Sequence, residues 1–183
     1  MSNFEVNESC EGVNFQTELV LITSDKKQFK MSRQAAKSCN MLNKMTDGEG
    51  EDSEIKLPVE CESKVLPLVI QYCEYHKESK PAALPQPLQK HIDEYLDQWD
   101  KDFIYNNLVD KSDETKHEAL LEVMAAAHYF DNEDLLNLTC AKVGSMIQDK
   151  NPEQIRNLFH LPDDFTPEQK ARNAEELKAL SDL

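Results

Sequence analysis

Two stretches near the start of the chain decide the class of fold: ELVLIT, Glu18–Thr23, and QFKM, Gln28–Met31, joined by the turn-like Ser24-Asp25-Lys26-Lys27. A run of branched apolar residues, a polar turn and a segment in which Phe29 and Met31 alternate with polar neighbours predict a β-hairpin. Helical spacing takes over immediately afterwards. Ser32 can cap a helix whose apolar face is Ala35, Ala36, Met41, Leu42 and Met45, and the acidic run Asp47–Asp52 breaks it. A hairpin followed by helices requires a mixed α/β (α+β) fold with a small sheet.

Ile55 and Leu57 then alternate in a short strand that Pro58 ends. Val65, Leu66, Val69, Ile70, Tyr72 and Cys73 recur at helical spacing up to about Lys77, and Pro67 places the helix start just before itself. SKPAALPQP, Ser79–Pro87, holds three prolines in nine residues and reads as a loop. Helical spacing resumes at Ile92 through Tyr95, Leu96, Trp99, Phe103 and Ile104, and the polar insert Asp110–Glu118 follows. In LLEVMAAAHYFDNEDLLNLTC, a core-like helix ends in His128 and Tyr129, and Asp131 or Asn132 can cap the next. That next helix carries the stripe Leu136, Cys140, Val143 and Ile147, spaced by four, three and four. Asn151-Pro152-Glu153-Gln154 has a cap residue, proline at the first helical position and a glutamine reaching back, and it opens a helix with Ile155, Leu158 and Phe159. Thr166-Pro167-Glu168-Gln169 repeats that grammar before a mostly polar helix with only Ala171, Ala174, Leu177 and Leu180 to bury.

Composition excludes several functions. The formal charge is −15, from 35 acidic and 20 basic residues with no basic run, which disfavours nucleic acid as a partner. The five cysteines, Cys10, Cys39, Cys61, Cys73 and Cys140, form no Cys-x-x-Cys pair and suit reduced thiols of a cytoplasmic or nuclear protein. No stretch of eighteen apolar residues exists and Met1–Phe15 has no leader pattern, so neither membrane insertion nor secretion is expected. A thiol enzyme could be built on Cys73 and His76, three residues apart on one helix; the simpler reading places Cys73 on the apolar stripe and His76 at the wet end. No motif orients His128 as a general base. The acidic run Asp47–Asp52 lacks the order of a calcium loop, and the four glycines form no phosphate-binding loop. No metal or cofactor is expected. What remains is apolar surface between Asp131 and Phe165 that must dock on the first unit or receive a partner's helix.

LITSDKKQFKMSRQAAKSC, then IKLP, VIQYCEYHK, QWDKDF, AAAHYFDNEDLLNLTC, MIQDKNPEQIRNLF and DDFTPEQ, together and in order, resemble the S-phase-kinase-associated adaptors of cullin and F-box ubiquitin ligases. The resemblance spans about Leu21 to Gln169. It implies a BTB/POZ-type domain over 17–130 with flexible loops near 47–54, 79–90 and 106–117 and F-box-binding helices over 131–183, after residues 1–16, whose few apolar residues and lack of period predict a disordered extension. It also implies no catalysis: the family bridges a cullin to F-box proteins that select substrates for ubiquitylation. The cullin positions fall on His128 and Tyr129. The F-box positions fall on Leu136, Cys140, Val143, Ile147, Ile155, Leu158, Phe159 and Phe165.

The chain departs from that family in four places. His128 stands where asparagine is usual, the insert Asp110–Glu118 is longer, the loop Ser79–Pro87 is less acidic, and the tail reads EELKALSDL in place of a tryptophan-cysteine-glutamate ending. Pro152 matches the proline that some protist members hydroxylate and glycosylate, although starting a helix accounts for it too. Weak self-association through the F-box surface is a further expectation. The competing expectation is a scaffold of a chromosomal or kinetochore-type assembly that keeps F-box binding or self-association without the cullin.

Overall fold

The structure, a computed structural model, describes residues 18–48, 55–110, 113 and 115–181, with side chains of the last helix described up to Glu176. The extension expected over residues 1–16, most of the acidic run Asp47–Asp52, part of the insert Asp110–Glu118 and the tail leucines lie outside the described residues or side chains. The chain forms two compact units, one through Gln148 and one from Asp149 onward.

In the first unit, β1 (Glu18–Ile22) and β2 (Gln28–Ser32) make the predicted hairpin, with Leu19 opposite Met31 and Leu21 opposite Phe29. Lys26 takes a left-handed φ of 63° in the turn, and the Thr23 hydroxyl accepts the Lys27 N–H at 3.1 Å. β3 (Lys56–Pro58) joins β1 in parallel on its other side, giving the strand order β2-β1-β3. As the central strand, β1 is covered on both faces, which is why consecutive residues Leu19, Val20 and Leu21 are all buried.

The helical stretch after the hairpin is two helices, not one. Ser32 caps α1 (Arg33–Ala36) by accepting the Ala35 N–H at 3.2 Å, the chain turns at Lys37–Cys39, and α2 (Asn40–Thr46) follows. The turn lets Ala35, Ala36 and Leu42 reach the core while Met45 remains outside. α3 (Leu66–His76) has Pro67 in its first turn, where a missing N–H costs nothing, and buries Leu66, Val69, Ile70, Tyr72 and Cys73. The loop 79–90 is irregular and holds a cis Gln86–Pro87 bond.

The single helix expected from Ile92 is divided into a 3₁₀ turn (Ile92–Glu94), α4 (Gln98–Phe103), capped by Asp97, and a π-helical turn (Ile104–Leu108). The subdivision turns Ile92, Leu96, Phe103, Ile104 and Leu108 inward, which one straight helix could not do over that distance. α5 (Glu118–Tyr129) buries Leu120, Val123, Ala126 and Ala127 and packs on α3 and α6 (Glu133–Ile147). The first unit thus takes in α6, beyond the domain limit of residue 130 expected from the resemblance. The second unit consists of α7 (Pro152–Leu158) and α8 (Pro167–Ser181).

Candidate functional site

α5 ends in a Schellman turn. Asn132 N–H donates to the Ala127 carbonyl at 2.9 Å and Asp131 N–H to the His128 carbonyl at 3.1 Å, while Asp131 takes the left-handed φ of 54°. Aspartate tolerates that conformation better than most side-chain-bearing residues. This turn ends α5 at the surface, leaving His128 exposed and Tyr129 half-buried. The Tyr129 hydroxyl accepts the Glu60 N–H at 3.0 Å, so the tyrosine also holds the segment after β3 against the end of α5. Its ring meets the buried Phe130 edge-on at 5.1 Å.

Asn132, not Asp131, caps α6, its side-chain oxygen accepting the Leu135 N–H at 3.0 Å. α6 has two apolar faces. Leu135, Leu138, Thr139, Lys142 and Met146 are buried, whereas Leu136 and Val143 are half-buried and Cys140 and Ile147 exposed. At 100° per residue the second set lies roughly 110° around the helix from the first. The stripe Leu136–Cys140–Val143–Ile147 therefore remains largely uncovered within the unit that buries the rest of α6.

The inner face of α6 includes a lysine, which its pattern did not reveal. Lys142, only 2% exposed, lies over the Tyr105 ring at 4.7 Å and donates to its hydroxyl at 3.3 Å. That hydroxyl donates in turn to the Asp93 carboxylate at 2.8 Å. Burial of a cation on this scale requires such partners. The apolar stem of lysine fills the core position, and the ring and hydroxyl satisfy its head.

In the second unit, Asn151 and Gln154 form a complete capping box, each side chain accepting the other's backbone N–H at 2.9 Å. Pro152 at the first helical position is exposed. Leu158 is buried, Ile155 and Phe159 are half-buried, and Phe165 is 40% exposed with the Arg156 guanidinium over its ring at 4.8 Å. Thr166 and Gln169 exchange the same reciprocal bonds before α8, and Lys170 pairs with Asp163. Of the described α8 side chains, only Asn173 is even half-buried.

The thiol pair expected as the enzymatic alternative is not assembled. Cys73 is fully buried, its sulfur facing Cys39 Sγ at 3.7 Å and Asn132 Nδ2 at 3.3 Å. His76 points elsewhere, with Nε2 3.0 Å from Asp100 Oδ1, and its side chain is 5% exposed, not at a wet helix end. The rings of Tyr72, Tyr75 and Trp99 lie against His76, and Phe103 packs behind Tyr72 and Trp99; Tyr75 and Trp99 stack at 3.8 Å between centroids. The Cys73 contact with Cys39 and burial push its thiol up, the opposite of what a nucleophile needs. Among the described residues no group of three or more His, Cys, Asp or Glu side chains could hold a metal ion. No described helix is long and apolar enough to cross a membrane.

Comparison with known proteins places this architecture. The model of the Skp1 family's tetramerisation domain matches residues 17–78 and that of its dimerisation domain matches residues 133–180. A protein of Tetrahymena thermophila, S-phase kinase-associated protein 1 homolog, is 32% identical over 163 residues, 88% of this chain and 93% of that one. The chain belongs to the Skp1 family. Two further relatives are Suppressor of kinetochore protein 1 of Schizosaccharomyces pombe, 33% identical over 87% of this chain and 95% of that protein, and SCF ubiquitin ligase complex protein SKP1a of Dictyostelium discoideum, 34% identical over 85% and 91%. The sheet, α1, α2 and α3 fall within the first matched Skp1-family domain; α6, α7 and most of α8 fall within the second. His128 and Tyr129 lie between the two.

Proposed function

We propose that this Skp1-family chain is a non-catalytic adaptor subunit of an SCF-type ubiquitin ligase, bridging a cullin to F-box substrate receptors. The observation that carries the reading is the second apolar face of α6: Leu136, Cys140, Val143 and Ile147 form a stripe that the first unit leaves largely uncovered. A partner helix laid on such a stripe gains apolar burial at roughly 25 cal/mol per Å². The second unit offers half-buried Ile155 and Phe159 and exposed Phe165, while buried Leu158 would meet an F-box only on rearrangement, and the reading takes residues 131–183 as the F-box-binding part. The cullin meets the end of α5, where His128 offers an exposed imidazole and Tyr129 a half-buried ring.

Co-purification tests the two halves separately. The full chain is expected to retain an F-box peptide and a cullin N-terminal domain, and Leu136→Asp with Val143→Asp to lose the first only. Retention of the F-box with failure on every cullin favours the second reading, a scaffold without the ligase role, which the histidine at 128 motivates. Self-association through the α6 stripe is expected to be weak and displaced by an F-box, as sedimentation would show. Exposed Pro152 is a candidate for hydroxylation, readable as an added oxygen by mass spectrometry of native protein. The reading places the protein in cytoplasm and nucleus, which imaging of a tagged chain would check.

A further inference from the structure

Cys39, at the start of α2, and Cys73, in the middle of α3, are both fully buried free thiols whose sulfurs lie 3.7 Å apart. One amide spans the pair: Asn132 Nδ2 donates to Cys73 Sγ at 3.3 Å and to Cys39 Sγ at 3.7 Å. The same side chain's oxygen caps α6. Ser38, an exposed residue, puts its hydroxyl 3.9 Å from Cys39 Sγ and lines a groove of about 1020 Å³ together with Arg33, Lys37, Lys77 and Lys80. In a chain of net charge −15, the groove that Ser38 borders holds these four cations, Lys77 among them paired with Glu74, against one lining carboxylate, Asp134.

We propose that Cys39 and Cys73 are a modification site, a dithiol that a small anionic disulfide of the glutathione type oxidises to an intramolecular disulfide. Local opening of the turn at Ser38 exposes Cys39, whose thiolate attacks one sulfur of the small disulfide, forming a mixed disulfide and expelling one thiolate. Cys73, giving up its proton, then displaces the second thiolate and closes the Cys39–Cys73 bond. Two cysteine thiols are oxidised by two electrons, and the small disulfide is reduced to two thiols. Donation from Cys73 holds the Cys39 thiol below the ordinary thiol range against the effect of burial, so Cys39 attacks first. The basic groove beside Ser38 selects a carboxylate-bearing oxidant. Closing the bond draws the sulfurs from 3.7 Å to about 2.05 Å, which takes the two sulfur acceptors from Asn132, leaves its amide only Ser38 Oγ at 3.2 Å, and loosens its cap on α6.

The test is incubation of the full chain with oxidised glutathione, acid quench, alkylation after unfolding and peptide mapping. Cys39 and Cys73 are expected to lose alkylation together and appear as one cross-linked peptide pair, while the exposed Cys140 carries at most a mixed disulfide. Oxidised glutathione should react severalfold faster than neutral 2-hydroxyethyl disulfide. In Cys73→Ser, glutathione should remain on Cys39. Amide exchange at Leu135 should rise roughly fivefold in the oxidised wild type, the effect of losing a helix cap. Full alkylation of Cys39 and Cys73 alongside a modified Cys140 would overturn the site, as would glutathione held on wild-type Cys39 with Cys73 free. Equal rates for the two oxidants would overturn the role of the groove.

Discussion

At the scale of single residues, most informative side chains have two jobs. Tyr129 presents its ring at the end of α5 and accepts the Glu60 N–H through its hydroxyl. Because that N–H is at the surface, Tyr129→Phe should cost no more than about 1 kcal/mol of stability in urea unfolding. A tenfold or greater loss of cullin binding in the same variant would therefore report a lost contact, not unfolding. Glu74 on α3 accepts the Ser32 N–H at 2.6 Å and the Ser32 hydroxyl at 3.0 Å and pairs with Lys77. Burial by itself would raise its carboxyl, but these bonds outweigh that and hold it below the usual carboxylate range. A depressed folded pKa adds stability above the unfolded value near 4.5, and that stability is lost as pH falls through the folded value. Wild type should thus exceed Glu74→Gln in stability at neutral pH, with the gap narrowing below about pH 4.5. A gap that stays constant with pH would show that Glu74 acts through packing alone.

At the scale of elements, caps and turns set where the surfaces end. Asn132 is both the second residue past the α5 C-cap and the N-cap of α6, so one residue fixes the angle between the two helices that carry the candidate cullin and α6 stripes. Asn132→Ala removes the cap and the amide that spans the two thiols, for an expected loss of about 1–3 kcal/mol. Asn132→Ser keeps a cap oxygen and should recover roughly half of it. Equal stability of the two variants in chemical denaturation would mean that the cap contributes nothing. The hairpin, the α3 start at Pro67 and both capping boxes were legible in the sequence because each is a local pattern whose partners lie within a few residues. The breaks at Lys37–Cys39 and within Ile92–Leu108 were not legible, since apolar spacing runs through them and only the curvature of the core demands the turns.

At the scale of the whole molecule, the two units differ in how firmly they are held. The first has a sheet packed against α1 and α3, with α5 on α3, whereas the described part of α8 has no buried side chain. Amides of α8 should therefore exchange at least a hundredfold faster than those of α5 in the free protein, as expected for a helix held by caps and side-chain pairs. An F-box peptide should slow them; strong protection of α8 in its absence would contradict this. The sequence by itself determined the hairpin, the caps, the mixed class and the family to which the chain belongs, because each rests on residue types at short or ordered spacings. Only the tertiary structure decided which of two apolar faces of α6 is core. Leu135, Thr139, Lys142 and Met146 recur at the same four, three and four as Leu136, Cys140, Val143 and Ile147, but the threonine and lysine of the inner face read as solvent-facing. Tyr105 and Asp93, 37 and more residues away, make that lysine a core residue, and such a partner becomes visible only when the chain has brought it within 3.3 Å.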